Sequence, residues 1–496
     1  MNFIPKHILS KSTFIRSSQC LKSLHLYKNH YNLRDTISLS QQALFTSGTD
    51  IGLLAQGIFP GGVDASPADR FRFQESVSRT IELIQNGTEI IYEAAFQFDG
   101  VLAAIDIMVK KNEKWYAYEV KSASKVSGTY ILDAALQYYV ITKSGLRLEN
   151  ISIIHLNTSY IRKGELELRK LFKATSVLEE VISKQELINT KIEQAKITLA
   201  DSMEPPVKIG KHCFEPYSCD FMGHCWKNVP QGSIFELAGM HKSDLFEMYE
   251  SGITTIKEIP EDFPLKKLQK LQAEYFNKNE VFIDHQGIDN FLASINYPVY
   301  FMDFETFMPA VPMFEDTSPF QHIPFQYSLH YKKDRTSEVT HKDFIAQTGS
   351  NPSNAFILNL LSDTQNKGDI LVYNLTFEKS VLKKLKTLFP EFELQIDERI
   401  SRMKDLMLPF QDLLYYHPNM KGSHSIKNVL PALVPELKYD ELTINNGNNA
   451  SAAFEMLQKE TDSIKIAEIR EALHTYCKLD TYAMVRILEV LEGRIK

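Results

Sequence analysis

The chain has 496 residues, of which 44% are hydrophobic and 11% aromatic; it is too long for one ordinary core and suits two or three globular domains. No apolar run reaches the roughly 20 residues of a membrane span, and the start MNFIPKHILSKSTF lacks the apolar stretch of a secretory leader, so a cytoplasmic location is expected. A net charge of −7 argues against a protein that coats its partners through bulk positive charge, but it is compatible with carboxylate-lined sites that bound cations neutralise.

Residues 1–35 read as a helical start carrying Lys6, Lys11, Arg16, Lys22, Lys28 and Arg34 against a single acid, Asp35. That run is either a phosphate-contacting face or a solvated helical face. Between 88 and 120 the segments EIIYEAAFQF, VLAAIDIMV and KWYAYEV alternate apolar and polar residues, broken by DG and KKNEK turns, which predicts a strand meander. A helix over ILDAALQYYVITKSG and a strand over ISIIHLN follow, then helix from 160 to 200. Pro230, Gln231 and Gly232 mark a boundary, and 234–280 reads as short helices around GITTIKEIP. From 286 onward, YPVYFMDFET and GDILVYN are apolar runs of the buried-strand type, and helices are predicted at 451–459 and 463–493.

Three constellations carry chemistry. In the first, Glu119 and Lys121 of YEVKSA stand two apart on a strand and so share a face; the hairpin brings Asp106 of AAIDIMV beside them. Two carboxylates hold a divalent cation through oxygen, and an adjacent lysine polarises an attacking water. Without further context the same residues describe an amphipathic hairpin with an ion pair. Gln137 follows on the next helix, beside Tyr138 and Tyr139. Asp106, Glu119, Lys121 and Gln137 together resemble the RecB-like branch of the PD-(D/E)xK nucleases, which implies catalytic roles for all four and metal ligation by the two acids. Glu93 is either an auxiliary acid or a strand-surface residue. Where many members of that branch carry an early metal-ligating histidine, GTDIGLLAQGIFPGG offers Gln56, a poor ligand.

The second constellation is made of cysteines. Cys213, Cys219 and Cys225 are separated by five residues each, and Cys20 lies about 190 residues upstream. Thiolates in a reducing compartment suit zinc or an iron–sulfur cluster. His212 and His224 keep a zinc site open. One N-terminal cysteine followed by a cluster of three resembles the iron–sulfur branch of RecB-like nucleases that includes AddB and the CRISPR-adaptation nucleases. The resemblance implies a 4Fe–4S cluster on Cys20, Cys213, Cys219 and Cys225. Cys477, on a predicted helix, reads as a small core residue.

In the third, Asp303 and Glu305 of FMDFET share one strand face, Glu378 follows Asn374 and Phe377 after the next strand, and Tyr476 and Asp480 lie four apart on one helix face. Four converging carboxylates are what a two-metal phosphodiester hydrolase requires. The set resembles the DEDD 3′–5′ exonucleases of the ribonuclease-H-like fold, tyrosine subclass, with Glu378 where that family carries Asp. It implies that Asp303, Glu305, Glu378 and Asp480 ligate Mg²⁺ or Mn²⁺ and that Tyr476 orients the water. Asp405 and Asp412 could mimic the second-motif acid but lack its NxxF context. Ser423, His424, Ser425 and Lys427 of GSHSIK offer phosphate donors, or a helix start capped by Ser423 or Ser425.

The expectation is therefore an α/β protein: a PD-(D/E)xK restriction-endonuclease-like domain over 1–230, a small helical connector over 231–285 of helix–hairpin–helix type, and a ribonuclease-H-like α/β domain over 286–496. Over most of residues 5–490 the chain resembles an uncharacterised bacterial family that fuses these two domains. The implied function is phosphodiester hydrolysis in DNA repair, recombination or defence, with DNA ahead of RNA as partner and a helicase or another repair or defence protein as a candidate associate. An RNA-processing exonuclease, or a binding module with a decayed first site, are the rival readings.

Overall fold

The protein is represented by a computed structural model that describes residues 7–69, 72–365, 367–439 and 441–493. Lys6 of the basic run lies outside them. The chain is mixed α/β and divides into two compact units, Met1–Asn228 with Pro309–Gln321, and Val229–Met308 with His322–Lys496. Among the described residues no helix is long and apolar enough to cross a membrane.

The first unit is built on strands β1 (Leu9–Ser10), β2 (Val63–Asp64), β3 (Ile90–Phe98), β4 (Val101–Lys111), β5 (Lys114–Lys121), β6 (Leu148–Leu156) and β7 (Phe172–Ser176). Among the described residues they form one sheet ordered β2-β3-β4-β5-β6-β7, with β1 pairing β4. The predicted meander is present as the antiparallel β3–β4–β5 run. The stretch 160–200 is not continuous helix, because residues 172–176 form β7 antiparallel to β6. Only its first residue is buried, so it lacks the alternation that marks a strand in a sequence.

One detail of pairing shapes this unit. β4 and β5 pair from Lys111↔Lys114 to Ile107↔Tyr118 and then separate, while β1 takes up the vacated edge at Val101 and Leu102. Lys11 comes directly after β1, as the first residue of the helix Lys11–Gln19 capped by Ser10. The pairing thus delivers a lysine to the opening between β4 and β5. The helix Gly128–Lys143 covers the sheet through Ala134, Ala135, Leu136 and Val140, packed with Ile105, Ala117 and Ile153. A second cluster holds Ile51, Tyr92, Val120 and Leu156 together with Ala310, Val311 and Phe320, so the excursion Pro309–Gln321 contributes to this unit's core. Arg162 secures it by donating to the carbonyl oxygens of Pro312 and Met313.

The second unit contains β8 (Phe282–Ile283), β9 (Val299–Phe307), β10 (Ile323–Lys332), β11 (Thr340–Ile345), β12 (Asp369–Val372), β13 (Met403–Asp405) and β14 (Tyr415–Tyr416). Five of these form a sheet ordered β11-β10-β9-β12-β13, antiparallel across β9–β10–β11 and parallel across β9–β12–β13. The period of two is visible on β9. Tyr300, Met302 and Phe304 enter the core with Phe356, Val381 and Leu385, while Phe307 packs on Phe454 on the other face. The helices Gly447–Leu457 and Ser463–Leu491 lie on that second face. Gln326 on β10 donates to the Leu473 carbonyl at 2.9 Å, and Ser328 meets Thr481 at 2.6 Å, so buried polar contacts fix the long helix on the sheet.

Residues 234–280 form the short helices expected, including Lys242–Glu250 and Lys267–Lys278, and belong to the second unit. Gly422, at φ +68°, lies so close to this segment that an added Cβ would sit 1.7 Å from the Glu236 carbonyl oxygen. Only glycine fits there.

Candidate functional site

In the second unit, Asp303 and Glu305 lie on the stretch of β9 beyond its pairing with β12, which ends at Phe301, and both face the helix Ser463–Leu491. That helix presents Asp480, and ligand atoms of Asp303, Glu305 and Asp480 all fall within 4.8 Å of one another. Tyr439 donates to Asp480 Oδ1 at 2.7 Å, and Tyr476, one turn before Asp480 on the same helix, lies beside it. A cavity of about 130 Å³ opens on these acids and is lined as well by Tyr373, Lys427 and Tyr476.

The electrostatics of this trio are unfavourable as they stand. Burial, and then the like charges of Asp480 and neighbouring acids, pushes Asp303 and Glu305 well above the carboxylate range. Asp480 is pushed up to about 6 by burial, against the bonds from Tyr439 and the nearby Lys427 cation. Glu378, in the first turn of the helix Leu375–Leu388, is 3% exposed, and its Oε2 has no hydrogen-bond partner. Burial pushes it up to about 8. Glu378 acts on Asp303 and Glu305 through space, although its oxygens are not part of the 4.8 Å group. Acids crowded so that they repel one another are the chemistry of a divalent-cation site.

Other residues of this region resolve differently. Asp405 accepts from the backbone N–H groups of Asn374, Leu375 and Met407, so it anchors the start of Glu378's helix. Asp412 is exposed. Ser425 occupies the N-cap position of the helix Ile426–Leu433 but makes no side-chain capping bond. The Lys427 ammonium lies 5.6 Å and 5.5 Å from the ring centroids of Tyr439 and Tyr476 and donates to the Asn445 carbonyl. Cys477 is a core residue as expected, yet its sulfur is 3.9 Å from Asp303 Oδ2. Tyr439 was not singled out by the sequence, having no motif around it.

In the first unit, the separation of β4 and β5 exposes the Val120 N–H, which donates to Asp106 Oδ2 at 2.5 Å. Glu119, 1% exposed, accepts from Lys11 at 2.8 Å and Lys121 at 2.6 Å on Oε1, and from Gln137 at 2.5 Å on Oε2. Lys121 also reaches Asp133 at 2.5 Å. Burial opposes ionisation of Glu119, but the two ammonium groups prevail and hold it below its ordinary value. Asp106 moves the other way, raised by burial and by Glu119. Glu93 breaks the regular conformation of β3 with φ 52° opposite Asp106; burial pushes it up to about 7, with Lys11 and Glu119 acting on it. A non-glycine residue held at positive φ beside buried charges is a feature of functional sites. The four residues Asp106, Glu119, Lys121 and Gln137 are thus brought together, and Lys11 and Asp133 join them unannounced by the sequence. Gln56 ends the helix Leu39–Gln56, where its carbonyl accepts from Phe59 N.

The four cysteines line one cavity with Ser23 and His212, and all are free thiols. Cys20 breaks the chain between the helices Lys11–Gln19 and Leu21–Asn29; Cys225 ends the short helix Met222–Cys225. Among the described residues no three of their sulfurs lie within 4.8 Å of one another. His224 points to Glu204 at 3.7 Å. Burial raises the Cys20 and Cys219 thiols and pushes Cys225 up to about 11. The two ends of the unit are joined here, since Asp220 takes a two-bond contact from Arg16 and another from Arg34.

The basic run does not form a free face. Lys11 is paired with Glu119, Arg16 and Arg34 with Asp220, and Lys22 with Glu204, while Lys28 donates to the Leu199 carbonyl.

Residues 300–425 match a family described as a domain of unknown function (DUF2779), about a quarter of the chain. The matched span includes Asp303, Glu305 and Glu378 and stops short of Lys427, Tyr476 and Asp480. No curated protein matches the chain.

Proposed function

We propose that the protein is a metal-dependent nuclease whose principal active site is the acid cluster of the second unit, acting as a 3′–5′ exonuclease on DNA. The observation that carries this reading is the convergence of Asp303, Glu305 and Asp480 within 4.8 Å in a mutually repelling group, two of its members buried. The order of the parts supports the finer assignment to a DEDD site on a ribonuclease-H-like domain. Two acids lie on the first strand of the sheet, one on the helix after its parallel neighbour, and one on the C-terminal helix with a tyrosine one turn before it.

Asp303, Glu305 and Asp480, with Glu378 in reserve, would hold Mg²⁺ or Mn²⁺. Bound there, such cations supply an activated water and support for the leaving oxygen. Tyr476 would orient the attacking water through its hydroxyl, and Lys427 would offer its ammonium to a phosphate oxygen at the mouth of the cavity. A panel of end-labelled single- and double-stranded DNA and RNA, incubated with Mg²⁺ or Mn²⁺, tests the reading. Stepwise loss from 3′ ends, abolished in Asp303→Ala, is the expected result. Absence of metal-dependent trimming on every substrate would refute it, and trimming confined to RNA would reassign the substrate.

For the first unit we propose a PD-(D/E)xK domain whose Cys20, Cys213, Cys219 and Cys225 carry a 4Fe–4S cluster. The cavity that all four cysteines line supports a shared thiolate site. Bound, the cluster would brace the N-terminal helices against residues 213–225. A second reading, that this unit binds nucleic acid without cutting it, is favoured by one observation: both Lys11 and Lys121 neutralise the Glu119 carboxylate.

A further inference from the structure

At the edge strand of the same sheet, on the face that also carries the acid cluster, another group of ligating side chains converges. His341 and Asp343 stand two apart on the edge strand β11 and therefore share a face. His474, from the long helix, reaches them: its Nε2 lies 3.2 Å from Asp343 Oδ2. Ligand atoms of all three fall within 4.8 Å of one another. None of them belongs to the motifs read from the sequence.

We propose that His341, Asp343 and His474 form a separate metal site that takes a divalent transition-metal ion of the zinc type. The donor set decides the class of ion. Mg²⁺ takes oxygen ligands, whereas two imidazoles and one carboxylate suit zinc and its transition-metal neighbours. The spacing agrees, since bonds of about 2.0–2.1 Å in a tetrahedral site place ligand atoms about 3.3 Å apart. An ordinary histidine–aspartate ion pair would account for His474 and Asp343 alone. It does not account for His341, whose ring is held in place by a separate network. Ser328 Oγ engages one of its ring nitrogens at 2.9 Å, leaving the other for a ligand, and Ser328 is fixed by the buried Thr481 at 2.6 Å. Thr481 in turn meets His330 Nδ1 at 2.8 Å, and the His330 ring lies 4.5 Å from that of His341. Outer partners of this kind orient ligating imidazoles.

Three protein ligands leave a fourth position open. A cavity of about 430 Å³, lined by His330, His341, Lys478 and Tyr482, borders the group and gives that position room for water or an anionic oxygen. The ion would also join the sheet edge to the helix that carries Tyr476 and Asp480.

The test uses the full-length protein and zinc itself as the probe. Chelator-treated protein is equilibrated with Zn²⁺ in the presence of excess Mg²⁺, and bound zinc is measured by mass spectrometry after removal of free ion. The wild type is expected to retain about one zinc per chain, and His474→Gln and His341→Gln each to bind at least about 100-fold more weakly. Asp303→Asn and Cys225→Ser are expected to retain it. His474 and Asp343 are about one-third exposed, so His474→Gln and Asp343→Asn should not prevent folding; unchanged circular dichroism checks this. Zinc held equally by both histidine variants, zinc lost in Asp303→Asn or Cys225→Ser, or no zinc bound by the wild type would each overturn the proposal. None of these results depends on the nuclease reading, because the readout is metal content rather than cleavage.

Discussion

The two acid clusters of this chain are built from similar residues and differ in how their charge is balanced. In the second unit, buried Glu305 and Asp480 and half-buried Asp303 converge with two tyrosines and one lysine nearby, and Asp303 and Glu305 are raised well above the ordinary range. In the first, Glu119 is held by Lys11, Lys121 and Gln137 and is depressed. One cluster is electrostatically incomplete without a cation; the other carries its cations on the chain. Carboxylates alone therefore do not mark a metal site: the counter-charges around them decide how strongly an ion is drawn in. The variants below probe that difference.

The largest effect is expected at the incomplete cluster. Asp303→Ala removes one of the three converging acids and should lower 3′-end trimming on the order of 1,000-fold or more. Tyr476→Phe removes one positioning hydroxyl, and a loss of roughly 10- to 100-fold is expected in the same end-labelled assay. Equal losses in the two variants would show that the tyrosine does more than orient water.

The thiol cavity gives a larger structural than kinetic effect. Anaerobically purified protein should be brown, and Cys213→Ala should bleach it and loosen the first unit, since the cavity joins residue 20 to residues 213–225. Iron analysis and limited proteolysis read this out. Colourless, iron-free protein whose bound zinc falls in Cys213→Ala would overturn the iron–sulfur assignment.

How much of this was legible in the sequence depends on the range of the contacts. Acids on one strand or one helix face announce themselves by spacing, so Asp303 with Glu305, Glu119 with Lys121, and Tyr476 with Asp480 were all found. Lys11 was not, because it reaches Glu119 only when β1 fills the edge that β5 leaves. Tyr439 and Asp133 were missed for the same reason: their partners are set by packing between distant segments. The basic run misled, because sequence shows charges and not the acids that meet them in the fold. Residues 309–321 read as part of one domain, yet Ala310, Val311 and Phe320 pack with the core of the other unit, and nothing in their spacing signals that.

Lys11→Met sharpens the comparison directly. If the lysine stands in for a cation at Glu119, removing it should strengthen Mn²⁺ binding at the first cluster by about tenfold; a charge near 4 Å can account for more than that even when well screened. The measurement is a Mn²⁺ titration in an Asp303→Asn background, so that the second cluster does not contribute. Unchanged or weaker binding would mean that Lys11 only supports the fold.

The smallest effect concerns stability against pH. Asp303 and Glu305 are raised well above their ordinary values, Asp480 is raised to about 6 and Glu378 to about 8, each chiefly by burial. A carboxyl raised in the folded state binds its proton more tightly folded than unfolded. Its contribution is therefore fully present below the unfolded value of about 4 and is lost as pH rises through the folded value. The metal-free chain should lose thermal stability between pH 5.5 and 8, and the Asp303→Asn variant should lose less by roughly 2–4 °C. Glu119 behaves oppositely: its depressed value places its own loss at pH values below that window. Millimolar Mg²⁺ should flatten the slope of the wild type and not that of Asp303→Asn, because bound cations replace the protons the acids would otherwise need. Parallel slopes in wild type and Asp303→Asn without metal would mean that the acids of the second cluster already have counter-charges, and the contrast between the two clusters would fail.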